Sequence, residues 1–272
     1  MRCRALLYHD VVDDGSGLAS GFPGADAELY KLGRAEFAEH LTAIAALNCR
    51  PLSVLDAIAR EGQDAVLLTF DDGGASALHP IADLLDARGW IGHFFITSNF
   101  IAEEGFLSES EVRELRKRGH IVGSHSCSHP ARFAKCQYSQ MEQEWHDSCY
   151  RLADILGEAV TVASVPGGYY SRAAAEAAAF AGIRVLFNSE PVSSLSRVGD
   201  CAVIGRYSIQ RGTSADVAAA LAQGSIYPRA KQFAYWNIKK AAKSLGGSHW
   251  LRFRKYLLER TAKSAGQSSR EQ

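Results

Sequence analysis

Short apolar runs alternate with helical segments through most of this chain, and each run stops at a polar cluster. CRALLYHD (3–10), AVLLTF (65–70), GHFFIT (92–97), HIVGSH (120–125), TVASVP (161–166) and IRVLFN (183–188) have the length and content of buried strands. Between them, FAEHLTAIAAL places Phe37, Leu41, Ile44 and Leu47 at helical spacing, and SVLDAIAREG ends in the glycine expected after a helix. HPIADLLDARG, SESEVRELRKRG, MEQEWHDSCYRLADIL and SRAAAEAAAFAG supply further helices. Strands alternating with helices of this length predict a parallel sheet with right-handed crossovers, hence an α/β barrel or an open doubly wound sheet. In either arrangement a site lies at the C-terminal ends of the strands.

The polar clusters fall at those ends: His9-Asp10, Asp71-Asp72-Gly73, His125 to His129, and Pro166-Gly167-Gly168. Asp71 and Asp72 are adjacent carboxylates followed by two glycines. Neighbouring side chains at a strand end point in different directions, so one can bind a metal while the other faces a substrate. A helix cap or an Asp-Gly turn is the plainer reading of the same residues. His125 and His129 are four apart, and Pro130 disfavours helical geometry at His129, which predicts an irregular turn. Joined to the acidic pair, they make a two-histidine, one-carboxylate set suited to a catalytic divalent ion.

LLTFDDG, followed some 50 residues later by GHIVGSHSCSH, resembles the NodB-type polysaccharide deacetylases, carbohydrate esterase family four, over roughly residues 5 to 210. The resemblance implies a distorted (β/α) barrel of about seven strands with a C-terminal helical extension. It implies metal-dependent removal of the N-acetyl group from an N-acetylated sugar, oligosaccharide or lipid-linked glycan intermediate. Asp71 would be the general base, and Asp72, His125 and His129 the ligands of Zn²⁺ or of Co²⁺, Ni²⁺ or Mn²⁺. SVPGG matches the family's third motif, making the N–H of Gly167 the oxyanion donor.

Two departures stand out. The family's base-orienting arginine is replaced by Ser164, and the late Leu-x-His motif is missing from AVIGRYSI (202–209). ALLYHD carries that pattern instead, as in the circularly permuted branch similar to exopolysaccharide deacetylases. His9 then becomes the general acid, with Asp10 orienting its ring. Arg206 is the candidate replacement for the arginine, and with Tyr169 and Tyr170 it makes up the substrate-side set. His93, inside its strand, reads as barrel lining, and Glu190 as a solvated loop acid. Hydrolysis of another small-molecule amide, and a catalytically silent carbohydrate-binding or scaffold protein, are the competing functions.

The formal charge of zero conceals a division, because residues 225 to 272 hold 11 of the 30 Lys and Arg and only 2 of the 30 Asp and Glu. We therefore expect a catalytic domain over 1–223 and a basic, aromatic-rich helical extension over 224–272. Basic helices bearing Trp and Phe either dock on the acidic barrel or lie on an anionic membrane. No nucleic-acid-binding module accompanies them. Six scattered cysteines without a C-x-x-C pair suggest reduced thiols, and acids interrupt the N-terminus before a signal-peptide apolar region could form. The expected location is cytoplasmic, extending to the inner membrane surface if the tail meets lipid.

Overall fold

The computed structural model describes residues 2–13, 19–47, 49–60 and 63–238. Six strands follow the six apolar runs: β1 (Cys3–Tyr8), β2 (Ala65–Phe70), β3 (Gly92–Ile96), β4 (Ile121–Ser124), β5 (Val162–Ser164) and β6 (Val185–Phe187). They stand side by side in that order, all parallel. An antiparallel hairpin follows, β7 (Leu195–Val198) and β8 (Cys201–Ile204), with β8 parallel to β6. One residue later the chain becomes β9 (Arg206–Ser208), which pairs with β1.

The segment 201–208 is thus one bent strand that touches both edges of the sheet and closes it. The bend sits at Gly205, where a Cβ would lie 2.2 Å from the Glu190 carbonyl oxygen and 2.6 Å from Val192 Cγ2, so only glycine fits. With that strand counted once, seven parallel strands ring the barrel, as expected. The β7 arm is an addition that the sequence pattern does not announce.

The two-residue period of a strand separates the inner face from the outer one. In β2, Ala65 and Leu67 join Cys3, Ala5, Phe95, Val162, Val185, Phe187 and Ile204 in one apolar cluster, while Val66, Leu68 and Phe70 join the other with the helices. The inner cluster fills the barrel and the outer one is the layer beneath the helices. Continuing the parity upward, Thr69 and then Asp71 belong to the inner set at the barrel's mouth.

The surrounding helices are α1 (Arg34–Ala45), α2 (Glu109–Lys117), α3 (Tyr138–Leu156), α4 (Arg172–Phe180), α5 (Ala215–Gln223) and α6 over 226–238. SESE starts α2 through a capping box: the Ser108 hydroxyl accepts the Glu111 N–H, and the Glu111 carboxylate accepts the Ser108 N–H. α3 buries Met141, Trp145, Cys149, Leu152 and Ile155 on one stripe, each large side chain worth ~1.5–3 kcal/mol. It stops at Gly157, whose φ of 71° is left-handed.

The helix expected over 79–89 is shorter than its pattern. His79 is extended (φ −128°, ψ 112°) because it precedes Pro80, and a wide turn leads into Asp83–Asp86. Of the helical extension expected over 224–272, α6 is the described part, and Trp250, Phe253, Leu257 and Leu258 lie outside the described residues.

Candidate active site

Asp71, one residue past β2, is 5% exposed and held from two other strands. Arg206 Nη1 donates to its Oδ1 at 2.7 Å and Nη2 to its Oδ2 at 2.8 Å, a bidentate fork. Ser164 Oγ donates to Oδ2 at 3.2 Å and accepts from Arg206 Nη2 at 2.7 Å. Burial pushes the Asp71 carboxyl up, but Arg206 and His125 outweigh it and hold it below the usual carboxylate range.

Arg206 itself is fully buried, with Nε on the Asn188 carbonyl and its guanidinium 5.8 Å from the Phe95 ring centre. No part of it reaches a substrate. Its placement in the substrate-side set is corrected, because the guanidinium is consumed by Asp71, Ser164 and Asn188. Its other expected role, as the missing base-orienting arginine supplied from a different strand, matches this geometry.

Asp72 points the other way. Its Oδ1 lies 3.3 Å from His125 Nε2 and 3.6 Å from His129 Nε2, and the three ligand atoms fall within 4.8 Å of one another. His125 Nδ1 donates to the Ser164 carbonyl at 3.0 Å, which fixes the tautomer and leaves Nε2 as a bare lone pair. Burial disfavours a charged Asp72, yet His125 and His9 outweigh it and keep the carboxyl strongly acidic. One carboxylate oxygen and two imidazole nitrogens at this spacing fit a single divalent ion with open positions.

The turn carrying the histidines is strained, as Pro130 foretold. Among the described residues four non-glycines have positive φ, and three are here: Asp72 (78°), Ser126 (64°) and His129 (54°). Such backbone costs about 1–3 kcal/mol per residue and persists only where its surroundings enforce it. α3 does so. Its Glu144 accepts the N–H groups of Cys127 at 2.9 Å and Ser128 at 2.8 Å together with the Ser128 hydroxyl, and its Ser148 receives Ser124 Oγ. Glu144 was not legible in the sequence, since nothing distinguishes it from the other acids of its helix.

His9 follows β1 on the same face, close enough for its charge to act on Asp71 and Asp72. Its ring lies against Tyr30 at 4.6 Å, and its buried Nδ1 has no partner among the described residues. The expectation that Asp10 orients it is not met. Asp10 Oδ1 instead accepts the hydroxyls of Ser20 and Ser76, pinning the loop at Gly21 to the turn after Gly74. Gly167 sits in the Pro166–Gly168 turn with a left-handed φ of 61°. Tyr169 is half-buried beside it, and Tyr170 packs against the outer core.

An aromatic wall that the sequence did not disclose adjoins His129. Phe22 contacts the His129 ring at 4.9 Å, Phe100 at 4.8 Å and Phe106 at 5.1 Å. Beside it opens a cleft of about 440 Å³ lined by Asn99, Phe100, Glu103, Glu104, Phe106 and Ser128. The wall comes from two loops distant in sequence, so no local pattern marks it.

Comparison with known proteins agrees with this architecture. The family model described as polysaccharide deacetylase matches residues 59–186. YxkH of Bacillus subtilis (strain 168) is 24% identical over 132 residues, 48% of this chain and 47% of that protein. The peptidoglycan-N-acetylmuramic acid deacetylase PdaA of the same organism is 32% identical over 69 residues, 25% of each chain. The match therefore spans at most about half the length of these relatives. In fold, the Streptococcus pyogenes deacetylase PplD superposes with a TM-score of 0.66 at 17% identity, over 79% of this chain and 96% of that one. The polysaccharide deacetylase match covers residues 59–186, which hold Asp71, Asp72, His125 and His129.

Proposed function

We propose that this protein hydrolyses the N-acetyl group of an N-acetylated sugar, oligosaccharide or lipid-linked glycan, releasing acetate and a free amine. The observation that carries the reading is the division of labour between adjacent carboxylates. Asp72 faces two imidazoles, while Asp71 is kept out of that set by Arg206 and Ser164. Asp72, His125 and His129 would hold a divalent ion, Zn²⁺ before Co²⁺, Ni²⁺ or Mn²⁺, which would supply Lewis acidity toward the acetyl carbonyl.

The chain's own groups do the rest. Asp71, ionised at neutral pH, takes the proton of the attacking water. Gly167 offers its N–H to the carbonyl oxygen as negative charge develops there. His9 gives a proton to the leaving nitrogen from the strand end beside the carboxylates. The sugar lies between the Phe22, Phe100 and Phe106 wall and Tyr169, where aromatic faces suit the apolar face of a pyranose. The relative PdaA, a peptidoglycan-N-acetylmuramic acid deacetylase, supports this substrate class.

The test is acetate release from N-acetylglucosamine oligomers by the purified chain, chelated and then reconstituted with Zn²⁺, with Asp71→Asn as the control. Zn²⁺-dependent release lost in Asp71→Asn is the expected result. No release despite one bound ion would overturn it in favour of another acyl substrate or a silent site.

A further inference from the structure

We infer that the outward face of α6 is a docking surface for an anionic lipid bilayer. It brings the barrel's mouth to the membrane. The inference does not depend on the chemistry proposed above.

α6 is fixed to the barrel along one side. Arg229 donates to the Tyr207 hydroxyl at 2.7 Å and to Ser193 Oγ at 3.0 Å, and Gln232 exchanges two hydrogen bonds with the Ser208 backbone. Pro228, Arg229, Gln232 and Trp236 are half-buried, a stripe at helical spacing. At 100° per residue Ile226, Tyr227, Ala230, Ala234 and Ile238 share the opposite face. Ile226 is 81% exposed, Tyr227 79% and Ile238 67%. Of the ten large apolar side chains exposed among the described residues, five lie on these thirteen positions, Phe233 and Tyr235 being the others. So concentrated an apolar surface on a helix anchored from behind marks an interaction site.

Charge identifies the partner. Residues 239–272 carry nine Lys and Arg against two Glu, with Trp250 and Phe253 among them, whereas residues 1–224 have 28 acids against 19 bases. An anionic bilayer attracts this end of the molecule and repels the rest. A second copy docking through the same face would place two equally basic segments together, since a two-fold contact pairs like with like. No described helix is long and apolar enough to cross a membrane; a helix with apolar and aromatic side chains on its outer face lies in the plane of the interface.

Position gives the docking its consequence. α6 starts beside Gly224, where Arg4 near the start of β1 donates to the Gln223 carbonyl, and it reaches Ser208, the last residue of β9 and the partner of Leu7. The helix therefore climbs from the N-terminal to the C-terminal end of the strands. Six more residues carry it roughly 9 Å further, to the level of His9 and the mouth. A glycan carried on a membrane lipid would meet the site at that height.

The experiment is sedimentation of the purified full chain with phosphatidylglycerol-containing vesicles and with pure phosphatidylcholine vesicles at ~0.1 M salt. The same assay is run on the double variant Tyr227→Glu, Ile238→Glu, whose fold is confirmed by an unchanged circular-dichroism melt. Binding to anionic vesicles alone, reduced about tenfold or more in the variant, is expected. Absence of binding, equal binding to both vesicles, or full retention by the variant would overturn the inference. So would a wild-type dimer that the variant converts to monomer without any vesicle association.

Discussion

His93, in β3, and His125, one residue past β4, both belong to the barrel's inner face, and neither is more than 1% exposed. His93 Nδ1 donates to the Leu68 carbonyl and Nε2 accepts the Val54 N–H, both at 2.8 Å, so its two nitrogens are used up by backbone. His125 spends only Nδ1, on the Ser164 carbonyl, and leaves Nε2 toward Asp72 and His129. The neighbouring carboxylates divide differently: Asp71 accepts three hydrogen bonds from Arg206 and Ser164, which leave one Oδ1 lone pair for a proton, whereas Asp72 presents Oδ1 to two imidazoles. Burial alone does not distinguish a structural polar group from a reactive one. The atom left open does.

Removing each histidine in turn should give opposite outcomes. His125→Ala should lose stoichiometric Zn²⁺, read by plasma emission spectrometry, and lower turnover by at least about 10³-fold, since it removes a ligand and its orientation together. His93→Gln should keep the ion and most of the turnover while lowering the melting temperature. Equal metal loss in both variants would show that the open nitrogen is not what sets His125 apart. Among the carboxylates, Asp71→Asn should lower turnover by about 10²–10⁴-fold with the ion retained, the usual value of a positioned base. Asp72→Asn should lose the ion.

The open atoms were the legible part of this molecule. Asp71, Asp72, His125 and His129 sit directly after apolar runs, where the strand period and the topology of a parallel sheet place functional groups. The same alternation allows a barrel or an open sheet, and the resemblance to the deacetylase family implies the barrel. The closing partners were harder to read, because they are long-range. Ser164 looked like a loss of the family arginine, but its hydroxyl and carbonyl join the base to a ligand histidine. Arg206 reaches Asp71 from 135 positions away only because Gly205 lets one strand bend across the seam. Adjacency to His9 does not place Asp10 on its ring, since neighbours along a strand end point apart while Ser20 and Ser76 come from elsewhere.

Loss of the Arg206 guanidinium should have an effect of intermediate size. In Arg206→Met the Asp71 carboxyl keeps its burial, which pushes its pKa up, and loses the guanidinium that outweighed it. The base then protonates at higher pH, so the acid limb of the pH–rate profile moves upward while the alkaline limb stays. Removing one partner of a buried pair also costs ~3–5 kcal/mol of stability. Turnover at the optimum should fall about 10- to 100-fold with metal content unchanged. A fall without movement of the acid limb would mean that Arg206 only supports the fold.

The smallest effect belongs to the closed histidine. Burial, reinforced by His120 and Arg206, lowers the His93 pKa to about 4 against the Leu68 hydrogen bond, far below the ordinary 6.5. Between these values the unfolded chain binds a proton that the folded chain refuses. Stability therefore rises with pH across that window, is fully present above about 6.5, and is lost as pH falls toward 4, by up to about 1.4 kcal/mol per pH unit from this group. Denaturant unfolding of His93→Gln, whose amide can still accept the Val54 N–H, should start from a lower stability at pH 7 and decline less steeply below pH 6.5. An unchanged slope would mean that His93 takes up its proton while folded, and that its backbone bonds are weaker than their 2.8 Å lengths imply.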